Sequence, residues 1–201
     1  MLCPACVAAL PRLLPPLCAR CGAPTAWPVA RCRECAGRRL AFTRARAAVA
    51  YEGRVCRLVA AWKERGLRRL AGEAAAVVVE GLPRPDVDAL VFVPADSARG
   101  LARGHRPAER LARELAAAWG LPCEPLLRRA GASRPQRGLS LADRRRNVRR
   151  AFSAENAAGR IALVDDVYTT GATAHSASAA LNGAGASSVE VVTFARAVRR
   201  R

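Results

Sequence analysis

Residues 161–173, IALVDDVYTTGAT, restrict the possible folds more than any other part of the sequence. The first four of these residues, Ile161 to Val164, form a continuous apolar run whose length is typical of a strand that is buried on both faces. Such strands occur in parallel sheets that are covered by helices. The segment therefore predicts an α/β fold with a parallel sheet flanked by helices.

Polar residues follow this apolar run at the predicted carboxyl end of the strand. Asp165 and Asp166 come first, at the edge where parallel sheets bind their ligands. The turn that comes next consists of Thr169, Thr170, Gly171, Ala172 and Thr173 and leads into an Ala-rich helix. Because the first backbone N–H groups of a helix are unpaired and lie at its positive end, the turn predicts a phosphate site. The whole segment suits a sugar phosphate.

Hydrophobic periodicity predicts further helices and strands along the chain. We expect helices near residues 55–62, 67–78, 107–119 and 174–181, and strands near residues 47–50, 89–93, 123–127 and 189–194. This order indicates a parallel α/β sheet. Residues 128–150 are rich in arginine and poor in apolar periodicity, so we expect a long loop or an irregular hairpin there.

Three C-x-x-C pairs lie within the first 35 residues, namely Cys3/Cys6, Cys18/Cys21 and Cys32/Cys35. Zn²⁺ needs four thiolates, which two of the pairs can supply. We favour the set Cys18, Cys21, Cys32 and Cys35, because Gly22 suits a tight turn after the first of these pairs. The set Cys3, Cys6, Cys18 and Cys21 stays open, as does a metal-free set of redox cysteines. The interpretation is a structural zinc ribbon over residues 1–40, which needs its metal to fold, followed by an α/β domain over residues 41–201.

The charge of the chain is compatible with nucleic-acid binding. The formal net charge is +18, and Lys63 is the only lysine. Cations of this number can neutralise phosphates, although a GC-rich coding bias also explains a composition dominated by Arg, Ala, Gly and Pro. The aromatic content of 4% argues against an extensive base-stacking surface. No run approaches the ~20 apolar residues of a membrane span, and the cysteine pairs agree with a reducing compartment, so we expect a cytoplasmic protein.

Residues 163–173, LVDDVYTTGAT, resemble the signature with which type I phosphoribosyltransferases hold phosphoribosyl pyrophosphate (PRPP). Over most of its length the chain also resembles the ComF family of GntX-like, amidophosphoribosyltransferase-like competence proteins. Besides the cysteine ribbon, the shared pieces are Tyr51-Glu52-Gly53, Trp62-Lys63, Val93-Pro94, Arg103-Gly104, Pro135-Gln136, Gly138-Leu139-Ser140, Arg144, Asn147-Val148 and Ala151-Phe152.

This resemblance implies a type I phosphoribosyltransferase sheet that binds PRPP with Mg²⁺. It implies that Asp165 and Asp166 hold the ribose hydroxyls, directly or through the metal ion, and that the turn at residues 169–173 holds the 5-phosphate. The loop that meets the pyrophosphate would consist of Ala95, Asp96 and Ser97, with Arg99 or Arg103 as countercharges. Residues 128–150 would form a hood over the reaction centre.

Three functions are compatible with this pattern. The first is transfer of phosphoribose from PRPP to a nitrogen nucleophile, with Asp165 and Asp166 as the candidate catalytic groups. The second is a non-catalytic protein that handles single-stranded DNA during uptake, together with competence machinery proteins. The third is a sensor of PRPP or a nucleotide. The chain departs from the family where Arg103-Gly104 runs into His105, Arg106 and Pro107 instead of F-N-Q-A, which concerns the acceptor side. A truncated double ribbon would explain the remaining Cys3/Cys6 pair.

Overall fold

A computed structural model describes residues 2–95, 106–129 and 151–198 of the chain. A five-stranded parallel sheet lies at its centre. Its strands are β1 (Arg44–Ala50), β2 (Ala89–Phe92), β3 (Cys123–Glu124), β6 (Arg160–Tyr168) and β7 (Ser188–Arg196), in the spatial order β1-β7-β6-β2-β3. Two further strands, β4 (Leu127–Arg129) and β5 (Phe152–Ala154), form an antiparallel pair. The predicted α/β fold with a parallel sheet is confirmed.

Three helices cover one side of this sheet, which we call the helix-covered face. They are α2 (Gly53–Glu64), α3 (Leu70–Gly81) and α4 (Pro107–Trp119). In α4, Leu111, Leu115 and Trp119 recur at helical spacing and are all buried, as predicted. Proline at its first position and a left-handed Gly120 after its end define the limits of this helix. None of the helices in the described ranges is long and apolar enough to cross a membrane.

The opposite side, which we call the cysteine-covered face, has a different cover. It consists of helix α5 (Ala172–Gly183), the β4–β5 pair and residues 17–42, which we call the cysteine segment. Side chains of β6 alternate between the two sides, as the period of a strand requires. Ala162 and Val164 pack on the helix-covered face, whereas Ile161 and Leu163 pack on the cysteine-covered face. A short helix, α1 (Pro4–Ala8), precedes the cysteine segment.

The structure corrects two predicted strands. The single strand expected at residues 123–127 is wrong, because β3 and β4 belong to different sheets. Pro125 lies between them and has no N–H group with which to continue a ladder. Strand β6 is longer than its apolar run and extends through both aspartates to Tyr168. The division at residue 40 stays a prediction: Cys18, Cys21 and Cys35 share one buried cluster with Ile161 of the sheet.

Candidate functional site

Strand β6 extends beyond its neighbour β2, and this difference in length leaves a notch at the carboxyl ends of the strands. The last residue pair between the two strands is Phe92 with Val164, and the amide of Val93 then donates to the carbonyl of Val164 at 2.9 Å. Pro94 follows and has no N–H group. On its other side, β6 stays paired with β7 as far as Tyr168. Residues 165–168 therefore line a notch that β2 does not fill.

The two predicted carboxylates lie at this notch and have different surroundings. Asp166 is buried, and its Oδ1 lies 2.6 Å from Nζ of Lys63 in helix α2. Asp165 accepts a hydrogen bond from the backbone amide of Asp166 at 2.9 Å and has no ion-pair partner within the described part of the chain. One carboxylate is thus neutralised by a lysine, while the other is left for a ligand or a cation.

The electrostatics of Asp165 agree with that difference. Burial of its carboxyl group is the largest influence, and the charge of Asp166 adds to it, so that the pKa of Asp165 rises to about 8. The positive charges of Lys63 and Arg129 act in the opposite direction. A carboxylate in such surroundings is stabilised by any cation that binds beside it.

The predicted phosphate turn follows directly after β6. Thr169, Thr170, Ala172 and Thr173 are exposed, whereas Gly171 is buried. Gly171 has a φ of +75°, and a Cβ atom there would lie 2.2 Å from the hydroxyl oxygen of Tyr168. Only glycine fits this position. Helix α5 begins at Ala172, whose amide donates to the Thr170 hydroxyl at 3.3 Å, so the turn lies at the positive end of a twelve-residue helix.

Arg129 at the end of β4 is a cation at the notch that sequence reasoning did not select. Its Nε donates to the carbonyl of Pro94 at 3.0 Å, and its guanidinium lies 4.9 Å from the ring centroid of Phe152. The predicted pyrophosphate loop begins next to it at Ala95. Its other members, Asp96, Ser97, Arg99 and Arg103, lie outside the described residues, as do residues 130–150 of the predicted hood.

The cysteine segment brings together one of the two predicted sets of ligands. The sulfur atoms of Cys18, Cys21, Cys32 and Cys35 all lie within 4.8 Å of one another. Three of the distances are 3.6 Å, 3.5 Å and 4.0 Å. A tetrahedron with Zn–S bonds of about 2.3 Å has S–S edges of about 3.8 Å, so this donor set fits zinc. Cys3 and Cys6 are exposed and do not belong to the group.

Hydrogen bonds within this cluster favour a thiolate at Cys18. Burial opposes its ionisation, but backbone N–H groups, among them the amide of Cys32 at 3.3 Å, lower the pKa of Cys18 to about 7. At Cys21 burial is also the largest influence, and there it outweighs the hydrogen bonds and raises the pKa. Metal binding requires deprotonated sulfur. Cys18 is therefore the sulfur that ionises most readily, whereas the thiolate of Cys21 would need the charge of a bound cation to stabilise it.

Sequence reasoning missed several residues that connect these features. Lys63 carried a signal, since it is the only lysine in a chain whose other side-chain cations are arginines. Arg129, Arg38 and Arg196 are among many arginines and carried none. The Nδ1 atom of His175 in α5 accepts a hydrogen bond from the amide of Ala41 at 3.1 Å. His105 lies outside the described residues.

Comparison with known proteins places these features in context. A curated protein named competence protein F, from Haemophilus influenzae, is 36% identical to this chain over 116 residues. The match covers 55% of the chain and 51% of the relative, so the chain spans about half the length of that protein. The resemblance to a ComF protein is thereby confirmed.

Two solved structures are also similar to part of the chain. One is a glutamine phosphoribosylpyrophosphate amidotransferase from B. subtilis complexed with ADP and GMP, with 26% identity and a TM-score of 0.44. The other is described as the allosteric regulatory enzyme of purine biosynthesis, with 26% identity and a TM-score of 0.43. Each match covers 63% of this chain and 25% of the other. No family model matches the chain.

Proposed function

We propose that this protein binds the ribose 5-phosphate group of PRPP at the notch beside β6. The observation that carries this proposal is the combination of two carboxylates on residues 165–168 with a glycine turn that leads into helix α5. A sugar phosphate needs acceptors for its hydroxyl groups at one end and donors for its phosphate at the other. The two requirements are met within nine consecutive residues, 165–173.

The phosphate end of the ligand would lie on residues 169–173. Two threonine hydroxyl groups before Gly171 and one after it are exposed, and the helix beyond them contributes its positive end. Gly171 lets the backbone bend sharply, so that successive amides can approach one anion. Phosphate groups bind well to such a turn because each amide donates without changing its orientation.

The ribose hydroxyls would be held by Asp165 and Asp166, directly or through Mg²⁺. Carboxylate oxygens are the ligands that Mg²⁺ prefers, and the ion commonly takes one or two of them together with substrate phosphates. The raised pKa of Asp165 fits this interpretation, because the positive charges of Lys63 and Arg129 offset the effect of burial only in part, and a bound cation would supply more. When bound, Mg²⁺ would neutralise negative charge on the pyrophosphate.

The proposed reaction, where turnover occurs, transfers phosphoribose to a nitrogen nucleophile with inversion at C1. The bond from C1 to the pyrophosphate oxygen breaks and its electron pair leaves with pyrophosphate. The nitrogen lone pair forms the new bond to C1 and its proton passes to solvent. Carboxylates beside the ribose can stabilise the positive charge that develops on the sugar.

Isothermal titration calorimetry with PRPP and Mg²⁺ tests the binding directly. We expect wild type to bind, and the double variant Asp165→Asn with Asp166→Asn to lose at least about tenfold in affinity. The matched control is Asp86→Asn with Asp88→Asn, which removes the same charge at the amino end of β6, where both aspartates pair with Arg160. Equal affinity in all three proteins would contradict the proposal. Release of pyrophosphate with a panel of nitrogenous bases then tests turnover.

A second candidate function, handling of single-stranded DNA beside competence machinery proteins in a cytoplasmic setting, is favoured by the surface of the cysteine segment. Trp27 is 68% exposed, and four arginines of the same segment, Arg31, Arg33, Arg38 and Arg39, are exposed as well. An exposed aromatic ring can stack on a base, while arginines of the same segment bind phosphates. We expect affinity for a single strand that falls steeply with salt and falls again in Trp27→Ala. Absence of binding at low salt would contradict it.

A further inference from the structure

Arg196 is a buried cation that connects the sheet to the cysteine segment. It is the last residue of β7 and is 1% exposed. One arm of its guanidinium donates to the carbonyl of Cys21 at 2.8 Å. The other arm contacts the sulfur of Cys21 at 3.7 Å and the carboxylate of Glu34 at 2.7 Å. A buried guanidinium keeps its charge, so this geometry depends on all of these partners being in place.

The same guanidinium lies against the residue that shapes the phosphate turn. Its central carbon is 4.6 Å from the ring centroid of Tyr168, which is 5% exposed. The Tyr168 hydroxyl in turn lies where a side chain on Gly171 would be. The ring also meets Phe42, at the end of the cysteine segment, edge to face at 6.2 Å. Displacement of Arg196 or Phe42 would therefore free the ring that packs against Gly171.

A second connection runs along the surface. Nη1 of Arg38 donates to the carbonyl of Thr170 at 2.8 Å, within the turn itself. The amide of Arg38 is held by the carbonyl of Cys35 at 3.2 Å. Both connections thus begin at a cysteine of the cluster, Cys21 for the buried route and Cys35 for the surface route. A metal ion that fixes the four sulfur atoms would fix both starting points.

We propose that Arg196 and Arg38 are positioning residues through which the four-cysteine cluster holds the turn at residues 169–173 in its phosphate-binding conformation. The proposal rests on the proposed function only for the identity of the ligand, since the contacts exist without one. Zinc at the cluster would then act on phosphate binding without touching the phosphate. Loss of the metal would then loosen the turn before it affects helix α4.

Hydrogen exchange of the backbone amides of residues 169–176 in the full, zinc-loaded protein tests the surface connection. We expect about threefold to tenfold faster exchange in Arg38→Ala. Arg39→Ala is the matched control, because it removes the same charge from an adjacent exposed residue whose side chain has no partner among the described residues. Zinc content and the thermal midpoint should be the same in both variants, which a general loss of structure would not allow. Equal exchange in the two variants would overturn the role of Arg38.

The buried connection is tested by zinc removal and by Arg196→Lys. Chelation of zinc from wild type should accelerate exchange at residues 169–176 about tenfold while residues 108–116 of α4 stay unchanged. Arg196→Lys retains a cation above Tyr168 but not the two-armed contact, so its exchange should lie between wild type and the chelated protein. Unchanged exchange at the turn after complete zinc removal would overturn the proposal.

Ribose 5-phosphate affinity, measured by calorimetry on the same samples, should fall in the same order as exchange rises. The exchange measurement decides the positioning role by itself. Absence of ribose 5-phosphate and PRPP binding in wild type would contradict the proposed function alone.

Discussion

The two faces of the central sheet are stabilised in different ways. The helix-covered face is closed by apolar side chains from three helices, among them the fully buried Leu111 and Leu115. Among the described residues, the cysteine-covered face has one helix, a four-sulfur cluster and an ion pair between the buried Arg196 and the partly exposed Glu34. The candidate phosphate turn belongs to the second face. The turn is thus supported by a segment whose four cysteines could hold a metal ion, whereas the helix-covered face depends on ordinary apolar burial.

Removal of the metal should produce the largest difference in stability between the two faces. We expect chelation of zinc, or Cys18→Ser with Cys35→Ser, to lower the free energy of local unfolding of the cysteine segment by on the order of 5 kcal/mol, because structural zinc contributes directly to folding. Hydrogen exchange should accelerate most in residues 17–42 and about tenfold in the turn at residues 169–176, with α4 protected. Metal analysis must show complete loss of zinc. Uniform exchange across both faces would contradict the comparison.

Truncation of matched leucines compares the faces directly. Leu111 in α4 and Leu181 in α5 are both 0% exposed. In zinc-loaded protein each change to alanine should cost about 2–5 kcal/mol, as measured by urea unfolding. After chelation the cost of Leu181→Ala should become smaller, since its surroundings are already loosened, while that of Leu111→Ala stays the same. Equal behaviour of both leucines after chelation would show that the faces are not independent.

Two glycines give opposite expectations when they are changed to alanine. Gly171→Ala places a Cβ atom against the Tyr168 ring at a φ of +75° and should cost about 1–3 kcal/mol. Gly72 lies inside α3, where Glu114 at 3.9 Å is the only contact that a new Cβ atom would make with the described residues, so Gly72→Ala should gain about 0.5–1 kcal/mol. Thermal unfolding of both variants measures this. A neutral Gly171→Ala would show that the turn can rearrange.

The last expected effect concerns the pH dependence of stability. The pKa of Asp165 is about 8 in the folded protein and 3.8 ordinarily, so the folded state binds this proton more tightly. Ionisation therefore costs the fold stability as the pH rises from about 4 to 8. Asp165→Asn lacks that cost and should be more stable than wild type at pH 8 by about 1–2 kcal/mol, with no gain at pH 4.

Asp88→Asn is the control of opposite sign for this measurement. Hydrogen bonds from Arg160 hold the pKa of Asp88 below its usual value. Its stabilising contribution is present above the ordinary pKa and is lost as the pH falls, so the variant should gain nothing at pH 8. A gain in Asp88→Asn equal to that in Asp165→Asn would point to net charge as the cause. Thermal midpoints across this pH range measure both variants.

Much of the fold and part of the site could be predicted from local sequence. Several features each constrain the structure over a short stretch of chain. They are the apolar run that begins at Ile161, the helical spacing of apolar residues in α4 and the spacing of the cysteines between Cys18 and Cys35. The turn at Gly171 is similar, since its glycine is required by a backbone angle. These features depend on neighbours in sequence, which a single chain displays directly.

The remaining features depend on contacts between distant residues. Arg196 meets Cys21 across 175 positions, and Arg38 meets Thr170 across 132. In a sequence crowded with arginines, nothing distinguishes these two from exposed ones. The end of β6 is also not evident from the sequence. Two charged residues normally end a buried strand, but here β6 stays paired with β7 as far as Tyr168.

The notch beside β6 has a consequence for how the site could evolve. Pro94 lies just beyond the end of β2, has no N–H group with which to extend the pairing, and accepts a hydrogen bond from Arg129 through its carbonyl. A molecule bound in the notch would occupy the position that further residues of a longer β2 would take beside β6. Among the described residues, the opening results from the different lengths of β2 and β6, so exchange of the side chains around it would alter what it accepts and leave the opening in place. A descendant could change its ligand without first having to build a new cavity.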